Sequence, residues 1–316
     1  MEESFGDLKK GQKNCQRTVH CHVPCQGYFA PQKIEEALEI LSKYGKEIKI
    51  IAGGTDLLVQ YYDRLYEINH WLDLKNIQEL KEINITQDEM EIGAMVTHTQ
   101  LETSEDIKKY YPVLSQAAAD IGSPQIRNRG TVGGNIVNAS PAGDLLAPLM
   151  AYNAQFRLLS TTQEEKLVSA EEFFIGPKKT ILEPAQLLTQ IILPLPSERT
   201  YGSWIKIGKR KALIIAAITL ALVVEMAEDH KTVKDVRTCL GSVAPTPIEI
   251  KEVKKKMAGK NFNQLDFKQL GQIVEDKISP IDDIRGTREY RKDVAKKIMI
   301  KALEEIDESM RGEEVI

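Results

Sequence analysis

Two glycine clusters interrupt apolar stretches of this sequence and constrain what the chain can fold into. They are Ala52–Asp56 (AGGTD) and Gly130–Asn135 (GTVGGN). Glycine permits positive φ and a close approach of backbone to ligand, and successive N–H groups in such a turn form a concavity that binds anions. Neither cluster matches the dinucleotide fingerprint G-x-G-x-x-G or the P-loop pattern. Two such loops favour a ligand with two phosphates, held outside the common nucleotide-binding folds.

The first cluster lies between a strand-like segment and a helical one. Ile48–Ala52 is a short apolar run that predicts a buried strand. The segment from Leu57 to about Leu65 predicts a helix that Thr55 or Asp56 could cap. Strand, glycine turn and helix N-terminus in this order form a common type of anion site.

Composition excludes several classes of protein. The chain has 316 residues, 42% hydrophobic and 28% charged, which indicates two globular domains. Its formal charge of −4 leaves no electrostatic footprint for nucleic acid. The longest apolar run, Ala212–Met226, is shorter than the roughly 20 residues of a membrane span. Because the N-terminus also lacks the apolar segment of a secretory signal, we expect a cytoplasmic protein.

A cysteine and histidine cluster stands near the N-terminus. Cys15, Cys21 and Cys25 alternate with His20 and His22. In a cytoplasmic protein such a cluster suggests a metal, iron–sulfur or redox site more than a disulfide. The cysteine spacing matches no standard zinc or ferredoxin pattern, so an extension with inert thiols stays open as the alternative.

The remaining candidates for catalysis are isolated. His70 and His98 have no neighbouring partner motif and are interpreted as structural, and Cys239 stands in an apolar run that predicts a core position. No acid, base or nucleophile constellation is evident. A cofactor that carries the reaction itself would explain this pattern.

The chain divides into three parts by pattern. We predict an extension over 1–26, one domain over 27–200 and a second over 201–316, where strands followed by helices indicate an α+β fold. Length leaves the middle strand open to a buried-helix interpretation. The predicted strands are Ser203–Ile207, Ile214–Glu225 and Val233–Ser242, and the predicted helices are Ile248–Met257, Phe267–Val274 and Arg288–Glu308.

Several motifs, taken in order, resemble the FAD-binding subunit of the molybdenum hydroxylases, the group that contains xanthine dehydrogenase, carbon monoxide dehydrogenase and hydroxybenzoyl-CoA reductase. The resemblance covers residues 28 to about 305. Its motifs are Ile51–Leu57, Gln125–Asn135, Ala139–Asp144, Phe173–Thr180, Leu240–Pro247 and Asp283–Arg291.

The resemblance implies a PCMH-type FAD-binding domain of two α/β subdomains, followed by a smaller α+β domain with a three-stranded antiparallel sheet. FAD would lie between the subdomains, with its pyrophosphate on the two glycine loops and Ile121 in the adenine pocket, where some relatives have an aromatic ring. The implied cofactor-binding residues are Ile50, Ile51, Ala52, Gly53, Gly54, Thr55, Asp56, Leu57, Ile121, Thr131, Val132, Gly133, Gly134, Asn135, Asp144, Leu188 and Lys206.

Each of these residues also has an ordinary structural interpretation. The glycines could be turn residues, and Asp144 could cap the helix that follows it. Lys206 could be a solvated charge on an edge strand, and Leu188 could serve core packing. Arg127 and Arg129, beside the second loop, could steer a phosphate or a partner, or could simply be exposed.

By resemblance, the chain is one subunit of a larger complex. It would take electrons singly from iron–sulfur clusters and pass them in pairs through FAD to an acceptor, with NAD⁺ favoured. A molybdenum-cofactor large subunit and a [2Fe–2S] small subunit would be its partners, since the sequence has neither a molybdopterin motif nor the plant-type cluster spacing. Two alternatives stay open: a stand-alone FAD-dependent reductase of the UDP-N-acetylenolpyruvoylglucosamine reductase type, and a flavin-binding scaffold.

Overall fold

The computed structural model describes residues 26–65, 67–161, 165–209 and 215–312. The N-terminal cluster of Cys15, Cys21, Cys25, His20 and His22 lies outside these residues, so the predicted extension and its possible metal site stay predictions. Within the described ranges, no three His, Cys, Asp or Glu side chains are arranged to hold a metal ion. In the same ranges, every helix is too short or too polar to cross a membrane.

Strands and helices alternate up to residue 73 and then occur in longer runs of one kind. The strands are β1 (Gly27–Phe29), β2 (Ile48–Ile51), β3 (His70–Asp73), β4 (Ile83–Ile85), β5 (Glu89–Gly93), β6 (Gln155–Leu159), β7 (Lys166–Ser169), β8 (Phe174–Gly176), β9 (Lys179–Thr180), β10 (Leu187–Pro194), β11 (Thr200–Ile207), β12 (Ile218–Met226), β13 (Val233–Gly241) and β14 (Ile248–Glu249). The helices are α1 (Ile34–Tyr44), α2 (Leu57–Tyr62), α3 (His98–Thr103), α4 (Glu105–Tyr110), α5 (Pro112–Ala119), α6 (Pro124–Arg127), α7 (Val132–Asn138), α8 (Leu146–Ala151), α9 (Ala170–Phe173), α10 (Lys251–Met257), α11 (Phe267–Lys277) and α12 (Arg288–Met310).

A small parallel sheet opens the fold, with the strand order β1-β3-β2. Helix α1 packs on it through Ala37, Leu38 and Leu41, which recur on one helical face and are buried. Gly45 follows the helix at a φ of 49° and ends it. Strand β2 lies at the sheet edge and leads directly into the first glycine loop, as the sequence predicts.

A five-stranded antiparallel sheet, ordered β4-β5-β10-β6-β7, forms the second layer. Helices α5, α7 and α8 share its apolar core, in which Val132 and Ile136 of α7 are fully buried. The second glycine loop is therefore the start of a helix anchored in this core. Two α/β subdomains thus lie side by side, as the resemblance implies.

The C-terminal part is an antiparallel sheet covered by α10, α11 and α12. Its order is β11-β12-β13-β14, so the ambiguous middle run is a strand, which begins at Ile218. The predicted three-stranded sheet is wrong in one detail. Ile248–Glu249, expected to begin a helix, pairs with β13 as a short fourth strand. The overall α+β class is confirmed.

Candidate cofactor cleft

A cleft of about 290 Å³ opens between the two subdomains. Strand β2, helix α2, helix α7 and strand β10 contribute to its walls. The lining is mostly apolar, with a few polar groups, as is typical of cofactor sites. Thirteen of the predicted cofactor-binding residues line it: Ile50, Ala52, Gly53, Gly54, Thr55, Asp56, Leu57, Ile121, Thr131, Gly133, Gly134, Asn135 and Leu188.

The first glycine loop leaves its amides free. The N–H groups of Gly53, Gly54 and Thr55 donate to no acceptor within the part of the chain that the structure describes. The carbonyl of Gly54 accepts the first helical bond of α2, from Leu58 at 3.1 Å, and Gly54 itself has a φ of 75°. Glycine suits this left-handed conformation because it has no Cβ. Three successive free amides beside a cleft form the predicted anion-binding concavity.

The second loop is built differently. The N–H groups of Val132, Gly133 and Gly134 all donate within the chain, at 2.8–3.1 Å, to backbone carbonyls after β5 and to the hydroxyl of Thr131. Thr131 is the N-cap of α7. The expectation of two equivalent amide nests is therefore wrong for this loop. A group that this loop leaves available to a ligand is the side-chain oxygen Oδ1 of Asn135. It is buried and has no hydrogen-bond partner among the described residues.

The two loops contact each other directly. A Cβ atom on Gly134 would lie 4.0 Å from the Cβ of Ala52. The amide of Asn138, at the end of α7, donates to the carboxylate of Asp56 at 3.3 Å. Asp56 stands at the N-cap position of α2 but makes no side-chain capping bond, and neither does Thr55. The predicted capping is therefore wrong, and Asp56 ties the first loop to α7 instead.

Asp144 and Lys206 form a buried ion pair beside the cleft, with 2.7 Å between Oδ2 and Nζ. Lys206 also donates to the carbonyl of Asp120 at 2.8 Å, next to Ile121 in the cleft wall. Burial raises the pKa of Asp144 to about 6, although the positive charge of Lys206 opposes the shift. Oδ1 of Asp144 is buried and unpartnered among the described residues.

This geometry rules out the ordinary structural interpretations that the sequence allows for Asp144 and Lys206. Helix α8 begins after Leu145 and has no side-chain cap, so Asp144 does not cap it. The Lys206 side chain is only 7% exposed, so it is not a solvated edge charge. Neither residue lines the cleft, and the same holds for Ile51 and Val132.

The two arginines of the second motif differ, since Arg127 is engaged within the chain and Arg129 is exposed. Arg127 is half-buried, pairs with Glu102 at 2.7 Å and donates to the carbonyl of Ile121 at 3.2 Å, so it braces the cleft wall. Arg129 is exposed, and its backbone carbonyl packs against Gly53.

Sequence reasoning missed His98 as a residue of the cleft. It opens helix α3, is 3% exposed and lines the cleft, with its ring against Gly130. Burial, assisted by the charge of Arg127, lowers the pKa of His98 to about 4, and its Nδ1 has no partner among the described residues. The T-x-x-Q capping box of Thr97 and Gln100 was a sequence signal for this helix start.

Further residues of the lining carried no such signal. They are apolar or polar side chains whose position depends on tertiary packing, namely Lys49, Gln60, Leu74, Ala94, Met95, Ile126, Val137, Asn138, Leu182 and Leu187.

Comparison with known proteins now decides the family. Residues 22–196 match the family described as the FAD binding domain in molybdopterin dehydrogenase, and residues 203–306 match the CO dehydrogenase flavoprotein C-terminal domain. The chain belongs to the FAD-binding subunits of the molybdenum hydroxylase family. It is a flavoprotein subunit of an oxidoreductase, and FAD is its cofactor.

Relatives and solved structures agree along nearly the whole chain. The carbon monoxide dehydrogenase medium chain of Hydrogenophaga pseudoflava is 31% identical over 87% of this chain and 95% of its own length. The nicotinate dehydrogenase FAD-subunit of Eubacterium barkeri is 29% identical over 89% and 97%. The solved carbon monoxide dehydrogenase of H. pseudoflava superposes with a TM-score of 0.84 at 30% identity, covering 90% of this chain and 98% of that one.

The residues of the cleft fit FAD. Free amides at Gly53, Gly54 and Thr55 supply donors for phosphate oxygens. The unpartnered Oδ1 of Asn135 supplies an acceptor for a hydroxyl or N–H of the ligand, because a buried acceptor without a donor is costly. The predominantly apolar walls suit the flat ring systems of a flavin dinucleotide.

Proposed function

We propose that the cleft holds FAD with its diphosphate on the amides of Gly53, Gly54 and Thr55. The unpaired amides carry this assignment, since a rigid turn with three free donors binds a diphosphate without rearrangement. On this proposal Asn135 accepts a hydrogen bond from the cofactor, and Ile121 provides apolar contact in the adenine pocket. Asp144 stands outside the cleft lining, joined through Lys206 to Asp120 next to Ile121, and on this proposal its unpartnered Oδ1 accepts a hydrogen bond from the cofactor.

The bound flavin supplies the redox chemistry, since it can take up electrons one at a time and release them in pairs. The chain's own residues bind and orient it. Thr131 caps α7 and fixes the second loop, while the buried Asp144–Lys206 pair buttresses the wall behind Ile121. His98 presents a neutral imidazole to the cleft at physiological pH, since its pKa lies near 4.

We further propose that the chain works in a complex with a molybdenum-cofactor large subunit and a [2Fe–2S] small subunit. Relatives over most of its length are named as medium chains or FAD-subunits of carbon monoxide, nicotinate and xanthine dehydrogenases. Electrons would enter from the iron–sulfur partner and leave to NAD⁺ as a hydride. The cytoplasmic location also stays a prediction.

The stand-alone reductase is the weaker alternative. The match of residues 203–306 to the CO dehydrogenase flavoprotein C-terminal domain supports the subunit interpretation. A flavin-binding scaffold would share the cleft but would exchange no electrons with a nucleotide.

Two measurements test the proposal. Purified full-length chain is loaded with FAD, and the flavin absorbance is followed under anaerobic conditions during titration with NADH. The proposal predicts bleaching by NADH and reoxidation by a dye, whereas flavin that responds only to photoreduction would favour the scaffold. The native chain is also isolated from its source, and its companions are identified. Isolation without an iron–sulfur or molybdenum-cofactor chain would contradict the proposed complex.

A further inference from the structure

The segment that carries Asp144 is held at both ends by the C-terminal sheet. At one end the carbonyl of Pro141 accepts a hydrogen bond from the N–H of Ser242 at 2.8 Å. At the other end the carboxylate of Asp144 meets Lys206 at 2.7 Å. Lys206, Thr219 and Gly241 form one row across β11, β12 and β13, and Ser242 directly follows that row. A hydrogen bond and an ion pair from two neighbouring points of one sheet therefore hold the Pro141–Asp144 segment in place.

Ser242 is held in an unusual backbone conformation. Its φ is 62°, in the left-handed region that non-glycine residues rarely adopt and that persists only where surrounding contacts enforce it. Its hydroxyl donates to the carbonyl of Ala216 at 3.2 Å, and its carbonyl accepts from Nη1 of Arg291 at 2.9 Å. With the bond to Pro141, every polar group of Ser242 is engaged.

Arg291 carries a positive charge that is buried in the fold. Its side chain is 1% exposed, it pairs with Asp283, and its Nε has no partner among the described residues. Burying a guanidinium costs free energy, and an aliphatic side chain of similar length is often as stable or more stable in such a position. Asp283 also binds Arg285, at 2.6 Å, so it keeps a cationic partner if Arg291 is replaced.

We propose that Arg291, oriented by Asp283, is a positioning residue that sets the Asp144 carboxylate through Ser242 and Pro141. Ser242, Asp283 and Arg291 thereby act on the cofactor from the C-terminal domain, although none of them lines the cleft. This inference rests on the proposed contact between Asp144 and FAD.

The test measures FAD affinity of the FAD-free full-length chain by titration. Arg291→Met and Asp144→Asn are each expected to weaken binding about tenfold, since each removes one charge-assisted interaction. The double variant is expected to bind within about twofold of Asp144→Asn, because both changes act on the same contact. Arg288→Met, in the same helical turn but 60% exposed and 4.0 Å from Asp282, is the matched control and should bind normally.

A structural role alone would give a different pattern. An approximately hundredfold loss in the double variant would mean independent effects and would overturn the route through Arg291. Normal FAD affinity in Arg291→Met with a lower unfolding temperature would also overturn it. Arg291→Lys covers the case of poor folding: it keeps the charge beside Asp283 but loses the forked donor, and wild-type affinity in this variant would contradict the proposal. Unchanged affinity in Asp144→Asn would instead refute the contact of Asp144 with FAD.

Discussion

The carbonyl oxygen of Arg129 lies 2.0 Å from the position that a Cβ atom on Gly53 would occupy. The two glycine-containing segments are therefore packed backbone against backbone, and Gly53 is needed for this contact whether or not a ligand is bound. From the sequence, a bulky residue at Gly53 or Gly134 is expected to abolish FAD retention while the fold is kept. The structure changes that expectation for Gly53, because a backbone oxygen cannot move aside as a side chain can.

We predict that Gly53→Ala destabilises the FAD-free chain by about 3 kcal/mol, the upper range for overpacking at a site that cannot relax. Chemical denaturation of FAD-free protein measures this. Gly176→Ala is the control, since an added Cβ there meets nothing closer than 4.0 Å and φ needs no left-handed conformation. Equal stability of Gly53→Ala and the wild type would show that the two segments do not touch in solution.

Asn135→Ala should separate cofactor affinity from stability. Oδ1 of Asn135 has no partner in the described chain, so its removal breaks no hydrogen bond of the FAD-free protein. We expect the free energy of unfolding without FAD to change by less than about 0.5 kcal/mol and the dissociation constant for FAD to rise about tenfold. Exposed Asn84→Ala serves as the control. Tight FAD binding by Asn135→Ala would remove this residue from the site.

His98 should make the FAD-free fold sensitive to acid. Its pKa is lowered from 6.5 to about 4 by burial, so between these values the unfolded chain takes up a proton that the folded chain does not. Its contribution to stability is therefore complete above about pH 6.5 and is lost as pH falls toward 4, by at most about 3 kcal/mol. The measurement compares unfolding free energies of the wild type and His98→Gln across this window. Parallel curves would mean that His98 titrates normally in the fold.

Lys206→Met should leave the Asp144 carboxylate buried without a partner. Removing one member of a buried pair is expected to cost about 3 kcal/mol at pH 8. Because Lys206 holds the pKa of Asp144 down to about 6, that pKa rises in the variant, and the loss should already be smaller at pH 6, where Asp144 has taken up a proton. The double variant Lys206→Met with Asp144→Leu should recover most of the stability at pH 8. Thermal unfolding at the two pH values checks both expectations. A loss that does not depend on pH would place Asp144 in contact with water.

Local patterns in the sequence predicted the elements whose causes are local. Ile34, Ala37, Leu38 and Leu41 recur in the sequence at the spacing of an amphipathic helix, and α1 buries the last three of them. The apolar run before the first glycine loop likewise predicted β2. Cys239 is fully buried in β13, as its apolar surroundings indicated.

Features that depend on tertiary contacts could not be predicted in this way. The two glycine loops look alike as sequences, but among the described residues only the first has three successive free amides, because backbone carbonyls after β5 occupy those of Val132 and Gly133 and the hydroxyl of Thr131 occupies that of Gly134. The pairing of Asp144 with Lys206 joins residues far apart in the chain. The buried contact of Arg291 with Ser242 also joins residues that are far apart in the chain, and no periodicity in either segment predicts it.

A crystal structure of the chain with FAD bound tests the central claim most directly. The account predicts diphosphate oxygens within hydrogen-bond distance of the N–H groups of Gly53, Gly54 and Thr55, with Asn135 Oδ1 accepting from the cofactor. A dinucleotide seated elsewhere on the molecule, with these three amides facing only solvent, would contradict it.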